Sequence, residues 1–324
     1  MTTKDTRRPL SVGLLLPDTE HQFDGETARW TDLAAMARLA EQVGFDSVWV
    51  TDHLLHRTEP DGKEVVIGGD LRFNEGPWEC WSLVAGLAAI TERVDIGTLV
   101  LCNSFRNPAI LAKMADTVEE MSGGRLILGL GAGWNEAEYR AFGIPFDFRV
   151  DRFAEAIQII TSLLRTGHSD FSGAYYTTED AVLRPRGPRP SGPPILVGTT
   201  SPRMLAYTVQ YADIWNTWFS QTSNSLSGLK PLLAAVDAAC EAGDRDPATL
   251  IRSAAMAIEV ADHTPSTMSV PLITGEPEQI AAELRAYAAA GIAHAQVWLE
   301  PATPRGIEAF ARCWSISTTR DQSA

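Results

Sequence analysis

The sequence predicts one (β/α)8 TIM barrel over residues 1–324, with an insertion at 167–193 after the fourth helix. Three observations carry this. Eight short apolar runs alternate with eight helical patterns along the 324 residues. The runs are apolar at nearly every position, as strands of a parallel sheet buried on both faces require. No linker divides the chain, so one barrel explains the length better than two doubly wound domains.

The first strand candidate is 11–16. Residues 27–43 form a helix whose stripe is Trp30, Leu33, Ala34, Ala37, Leu39 and Ala40, and Gly44 stands where a left-handed cap belongs. DSVWV at 46–50 is the second strand, and a polar, Gly-rich stretch at 53–76 follows it. A helix at 77–90 carries Pro77 in its first turn. A strand at 94–101, a helix at 107–121, a strand at 125–131 and a helix at 149–165 come next. Residues 167–193 are rich in Gly and Pro and too long for an ordinary connector, so they read as an excursion. The rhythm resumes with strands at 194–197, 213–216, 252–260 and 294–299. The helices between and after them lie at 202–211, 227–242, 277–290 and from 304.

Composition excludes some functions. There are 27 Lys and Arg against 41 Asp and Glu, a formal charge of −14, where a nucleic-acid binder would show a basic stripe. The four Cys are scattered with no CxxC pair, which argues against a zinc ribbon or dithiol and for a reducing compartment. The apolar stretch at 12–16 is too short for a signal peptide, and no run approaches the ~20 apolar residues of a membrane span. A cytoplasmic protein with no membrane or nucleic-acid partner is expected.

In such barrels function sits on the loops after the strands, which selects the residues to inspect. Strand two ends in Thr51-Asp52-His53, a titratable pair suited to acid–base work, although Asp52 would serve equally as a cap. His56 follows three residues later, but no HExxH pattern or ligand set makes this a metal site, and none is expected. Strand three ends near Asn103, a neutral donor and acceptor. Strand four ends in GLGAGW, where Trp134 occupies the third glycine position of a dinucleotide fingerprint, so the Rossmann reading fails. What remains is close backbone approach at Gly133 to something flat, or a plain glycine turn. Strand five ends in Gly198-Thr199-Thr200-Ser201 before Pro202. Small residues with N–H groups and hydroxyls at a helix start make an anion site, although Ser201 would also serve simply as the N-cap. Trp78, Trp81, Trp134, Trp215 and Trp218 are candidates for an aromatic pocket, with Trp215 and Trp218 best placed. The loops at 53–76 and 167–193 are candidate lids.

Several stretches together resemble the bacterial luciferase-like flavin-dependent oxidoreductases, with the F420-dependent subgroup closest. They are LAEQVGFDSVWVTDH (39–53), a long block at 94–146 containing GRLILGLGAGWNEAEYRAFG, RFAEAIQII (152–160) and PPILVGTTSPRMLAYTVQYADIWN (193–216). The resemblance covers most of 10–216. It implies an eight-fold barrel with FMN or coenzyme F420 at its mouth and a non-prolyl cis peptide at Leu99-Val100. It places Gly198, Thr199, Thr200, Ser201 and Tyr139 at the cofactor phosphate. Leu99, Val100, Asn103, Gly133 and Trp134 fall beside the ring, and His53 near the reactive face. We read His53 as the proton donor or acceptor and Asp52 as its orienting partner. The resemblance implies a monooxygenase using reduced flavin and oxygen on a small organic substrate, served by a separate flavin reductase. F420-dependent hydride transfer is the alternative. A homodimer or higher homo-oligomer is common among such proteins. Two other classes stay open: a non-catalytic flavin-binding protein and a metal-dependent barrel hydrolase.

Overall fold

The structure, a computed structural model, describes residue 8 and residues 10–56, 75–260 and 270–315. Its barrel strands are β1 (Ser11–Leu15), β2 (Ser47–Val50), β3 (Asp95–Thr98), β4 (Leu101–Cys102), β5 (Leu126–Gly131), β8 (Ile195–Gly198), β9 (Ile214–Thr217), β10 (Ile251–Glu259) and β11 (His294–Glu300). A hairpin of β6 (His168–Ser172) and β7 (Thr177–Val182) lies apart from them. The barrel order is β3-β2-β1-β11-β10-β9-β8-β5-β4, and β3 also pairs with β5, which closes the sheet. Every barrel pairing is parallel.

The helices are α1 (Trp30–Val43), α2 (Cys80–Ile90), α3 (Pro108–Met121), α4 (Glu136–Ala141), α5 (Arg149–Thr166), α6 (Pro202–Tyr211), α7 (Leu226–Ala242), α8 (Pro277–Ala289) and α9 (Pro304–Ser315). Gly44 caps α1 with φ 99° and donates its N–H to Ala40 O. Asn107 caps α3 by accepting from Ala109 N and Ile110 N, with Pro108 as the first helical residue.

Several expectations are corrected. The strand read as continuous over 94–101 is two pieces, broken at a cis Leu99-Val100 peptide. Helix α1 starts at Trp30, which is 42% exposed and so lies off the buried stripe. Helix α2 starts at Cys80 because the Glu79 carboxylate accepts Trp81 N and Ser82 N, which leaves Pro77 outside it. Helix α4 was not foreseen: six residues are too few to show an apolar period. The excursion at 167–193 contains the hairpin, whose tip is pinned by Glu155 of α5 accepting from the N–H groups of Ala174, Tyr175 and Tyr176. The candidate lid at 53–76 falls largely outside the described residues.

Strand alternation divides the apolar residues into two cores. Leu15, Trp49, Leu99, Ile127, Leu196, Ile214, Ala255, Ala257 and Trp298 fill the barrel interior. A larger set, including Val12, Val48, Leu128, Val197 and Trp215, packs between barrel and helices. Trp49 occupies the interior because its neighbours are glycines: a Cβ on Gly13 or on Gly97 would lie 2.2 Å from its ring. The four cysteines are buried and free.

Candidate functional site

A cavity of about 490 Å³ opens at the C-terminal ends of the strands. That volume suits a cofactor or small ligand, whose sites span ~300–1,000 Å³. Its walls come from Thr51–His53, Leu99–Cys102, Gly131–Trp134, Arg149 and Val150, Gly198–Ser201, and the segment after β9. Ten of the twelve expected site residues therefore meet around one space: Asp52, His53, Leu99, Val100, Gly133, Trp134, Gly198, Thr199, Thr200 and Ser201. Asn103 and Tyr139 are buried outside its lining. None of the residues 167–193 is among those lining it.

The floor is flat because glycines surround Val100. Added Cβ atoms on Gly131 and Gly198 would sit 2.7 and 3.2 Å from its methyl groups, and one on Gly129 only 1.9 Å from Thr98 O. The chain around the cis Leu99-Val100 peptide can thus lean into the barrel mouth. Cys102 N–H and the Arg106 guanidinium hold the loop that follows, both bonding to Asp52.

Asp52 does not orient His53. Its carboxylate accepts both arms of Arg106, at 2.7 and 3.0 Å, and Cys102 N at 2.8 Å. Burial raises its pKa, against the opposing charge of Arg106. Arg106 also reaches Glu79, so one guanidinium joins the strand-two loop to the start of α2. The partner of His53 is Glu138 of α4, with Nδ1 3.1 Å from Oε1 and 3.3 Å from Oε2. Trp134 meets the imidazole edge-on at 5.3 Å between ring centres. His56 lies at 4.6 Å, and burial, with the nearby His53 charge, pushes its pKa down to about 3. Among the described residues no group of three or more His, Cys, Asp or Glu stands close enough to share a metal.

Just beneath, Asp18 accepts Thr51 N at 2.6 Å and the Thr51 hydroxyl at 2.9 Å. Burial lifts its pKa to about 6 despite these bonds. The carboxylate ties the end of β1 to that of β2 and holds His53 in place through the chain.

The opposite end of the cavity is formed by the start of α6 and the loop before it. Ser201 N-caps α6, accepting Met204 N, and Pro202 opens the helix. Two N–H groups of the loop are already engaged: Thr199 N donates to Asn216 O and Ser201 N to Thr199 Oγ1. Thr200 and Ser201 line the cavity together with Arg149, a residue that sequence reasoning missed. Arg149 is the first residue of α5; its Nε donates to Gly133 O and its guanidinium stacks on Phe146 at 4.6 Å. An ion pair from Arg203 to Asp151 brings the first turns of α5 and α6 side by side. Tyr139 has its hydroxyl engaged elsewhere, donating to Ala132 O at 3.0 Å with Cys102 Sγ at 2.8 Å. In this structure it is a prop under the Gly131–Trp134 turn.

Of the five Trp candidates, Trp134 and Trp218 line the cavity. Trp81 and Trp215 are buried, and Trp78 donates its indole N–H to Ala28 O. Strand parity separates the two residues near β9: Trp215 points toward the helices and supports the Gly198–Ser201 loop by donating to Thr199 O at 2.8 Å.

Residues 10–267 match the family model described as luciferase-like monooxygenase. The chain belongs to that family. Among curated relatives, it is 34% identical over 206 residues to the pyrimidine monooxygenase RutA of Cronobacter sakazakii, covering 61% of this chain and 57% of that one. The RutA of Escherichia coli strain SE11 is 34% identical over 205 residues, covering 60% and 51%. The matched stretch thus spans little more than half the length of these luciferase-like relatives. Solved structures share the fold. The riboflavin lyase RcaE superposes with a TM-score of 0.77 at 14% identity, covering 97% and 94% of the two chains. An F420-dependent secondary alcohol dehydrogenase gives 0.75 at 20% identity, covering 95% and 99%.

Proposed function

We propose that the chain is a flavin-dependent monooxygenase that uses reduced FMN and oxygen on a small organic substrate. One observation carries the reading: a flat glycine-lined floor and a polar, cationic end meet in a single cavity with an accessible histidine. These residues fit FMN. Leu99, Val100 and Gly131 would support the ring, and Thr200, Ser201 and Arg149 would hold the phosphate. Reduced FMN, when bound, activates oxygen, whereas coenzyme F420 carries carbon at the hydride position and supplies hydride.

The chain's own part is to orient, to exclude water and to move a proton. His53 does the last, through the nitrogen that faces the cavity. Trp134 and Trp218 wall the space open to substrate, and the RutA relatives point to a planar heterocycle of the pyrimidine kind as its class. A separate reductase would deliver the reduced flavin, and a homodimer or higher homo-oligomer is expected.

Titration of the purified protein with FMN and with F420, followed by absorbance, tests this. Saturable binding of FMN is expected. Tight binding of F420 with none of FMN would turn the reading to hydride transfer, and binding of neither would overturn it.

A further inference from the structure

His53 is polarised by its surroundings. Glu138 is buried and accepts Leu54 N at 2.9 Å through Oε2, so it faces the loop as an acceptor. A carboxylate that accepts from Leu54 and lies 3.1 Å from His53 Nδ1 requires the ring proton on that nitrogen. Asn135, the residue just before α4, donates its side-chain amide to Leu55 O at 2.9 Å and ties the same loop to the start of that helix. The other ring nitrogen, Nε2, makes no hydrogen bond among the described residues, and His53 lines the cavity. Among the described residues, Asp52, Asp18 and His56 are the other titratable groups that interact with the ring. Asp52 is held by Arg106 and Asp18 by Thr51, so among the described residues Glu138 alone bonds to the imidazole.

We propose that Glu138 is a positioning residue that fixes His53 with its proton on Nδ1, so that His53 presents an unprotonated Nε2 and accepts a hydrogen bond or proton from an N–H or O–H group of the substrate. In the transfer the substrate N–H or O–H bond breaks and an Nε2–H bond forms. The resulting imidazolium sits against the Glu138 carboxylate, and the proton later leaves to solvent from Nε2. The inference rests on the enzymatic reading of this cavity, and it narrows the substrate to molecules with an acidic N–H or O–H, a lactam or ureide among them.

Replacing Glu138 by Gln inverts the arrangement. Leu54 N–H needs the amide oxygen, so the amide NH2 would face Nδ1 and drive the ring proton to Nε2. Nitrogen-15 NMR of histidine-labelled protein without cofactor reads this directly. The wild type and Glu138→Asp are expected to show protonated Nδ1 and bare Nε2, and Glu138→Gln the reverse. In turnover, Glu138→Gln should lose about 100-fold or more in kcat/KM, the scale of one acid–base group, with cofactor affinity retained. A proton on Nε2 in the wild type, or the same tautomer in wild type and Glu138→Gln, overturns the proposal; should Glu138→Gln not fold, the wild-type tautomer alone decides. The spectrum needs no turnover, so failure of the monooxygenase reading with the expected tautomers would be seen as such.

Discussion

Arg149 shows how a single residue changes the electrostatics of the mouth. A chain of charge −14 argues for holding an anion by backbone and hydroxyls, yet two of the loop N–H groups are already engaged and a guanidinium faces the same cavity. Charge-assisted hydrogen bonds contribute ~1.5–3 kcal/mol, or roughly 10- to 150-fold in affinity. Arg149→Ala should therefore weaken FMN binding by at least about 10-fold while leaving riboflavin, which has no phosphate, unchanged. Isothermal titration with both ligands checks this; equal losses would remove the phosphate role. Sequence reading could not single out Arg149, because an Arg at the start of a helix resembles any solvated charge. It reached His53 because a titratable pair at the end of a barrel strand is suited to acid–base work. It chose Asp52 as the partner by adjacency, whereas neighbours in sequence turn opposite ways from a strand end, and Glu138 arrives from 85 residues away.

At the scale of the element, the third barrel strand is the informative one. The sequence over 94–101 reads as one strand, but the chain divides at the cis Leu99-Val100 peptide into β3 and β4. Room for this division comes from β5, whose inward positions Gly129 and Gly131 stand opposite Thr98 and Val100. Gly129→Ala would press a methyl group against a backbone carbonyl that cannot yield, since the gap is 1.9 Å. A loss at or above the ~1–3 kcal/mol of ordinary overpacking is expected. Gly198→Ala, at 3.2 Å from a side-chain methyl, should cost visibly less. Thermal unfolding of the two variants compares them, and equal melting temperatures would contradict the argument. The short helix α4 belongs here as well. It carries Glu138, with Asn135 just before its start, yet its six residues offered no period to read.

For the whole molecule, the barrel mouth concentrates buried titratable groups whose effects on stability oppose one another. His56 has its pKa lowered from 6.5 to about 3 by burial, so its contribution to folding is complete above pH 6.5 and is lost as pH falls toward 3. Asp18, raised from 3.8 to about 6, contributes the opposite way: its share is complete below 3.8 and is lost as pH rises through 6. His56→Gln removes only the first. The stability difference between wild type and variant should shrink by up to ~1.4 kcal/mol per pH unit below pH 6.5, as urea unfolding at several pH values would show. A difference constant with pH would mean that His56 is charged in the folded protein. By itself the sequence determined the barrel, its eight-fold rhythm and most of the residues at its mouth. Burial on both faces writes strands as apolar runs, and strand ends are where a parallel barrel must expose its chemistry. Only the tertiary structure decided which charges pair, which hydroxyls and N–H groups are already engaged, and where Arg149 and Glu138 stand. Those outcomes depend on side-chain directions set by closure of the sheet, which brings together segments that are remote along the chain.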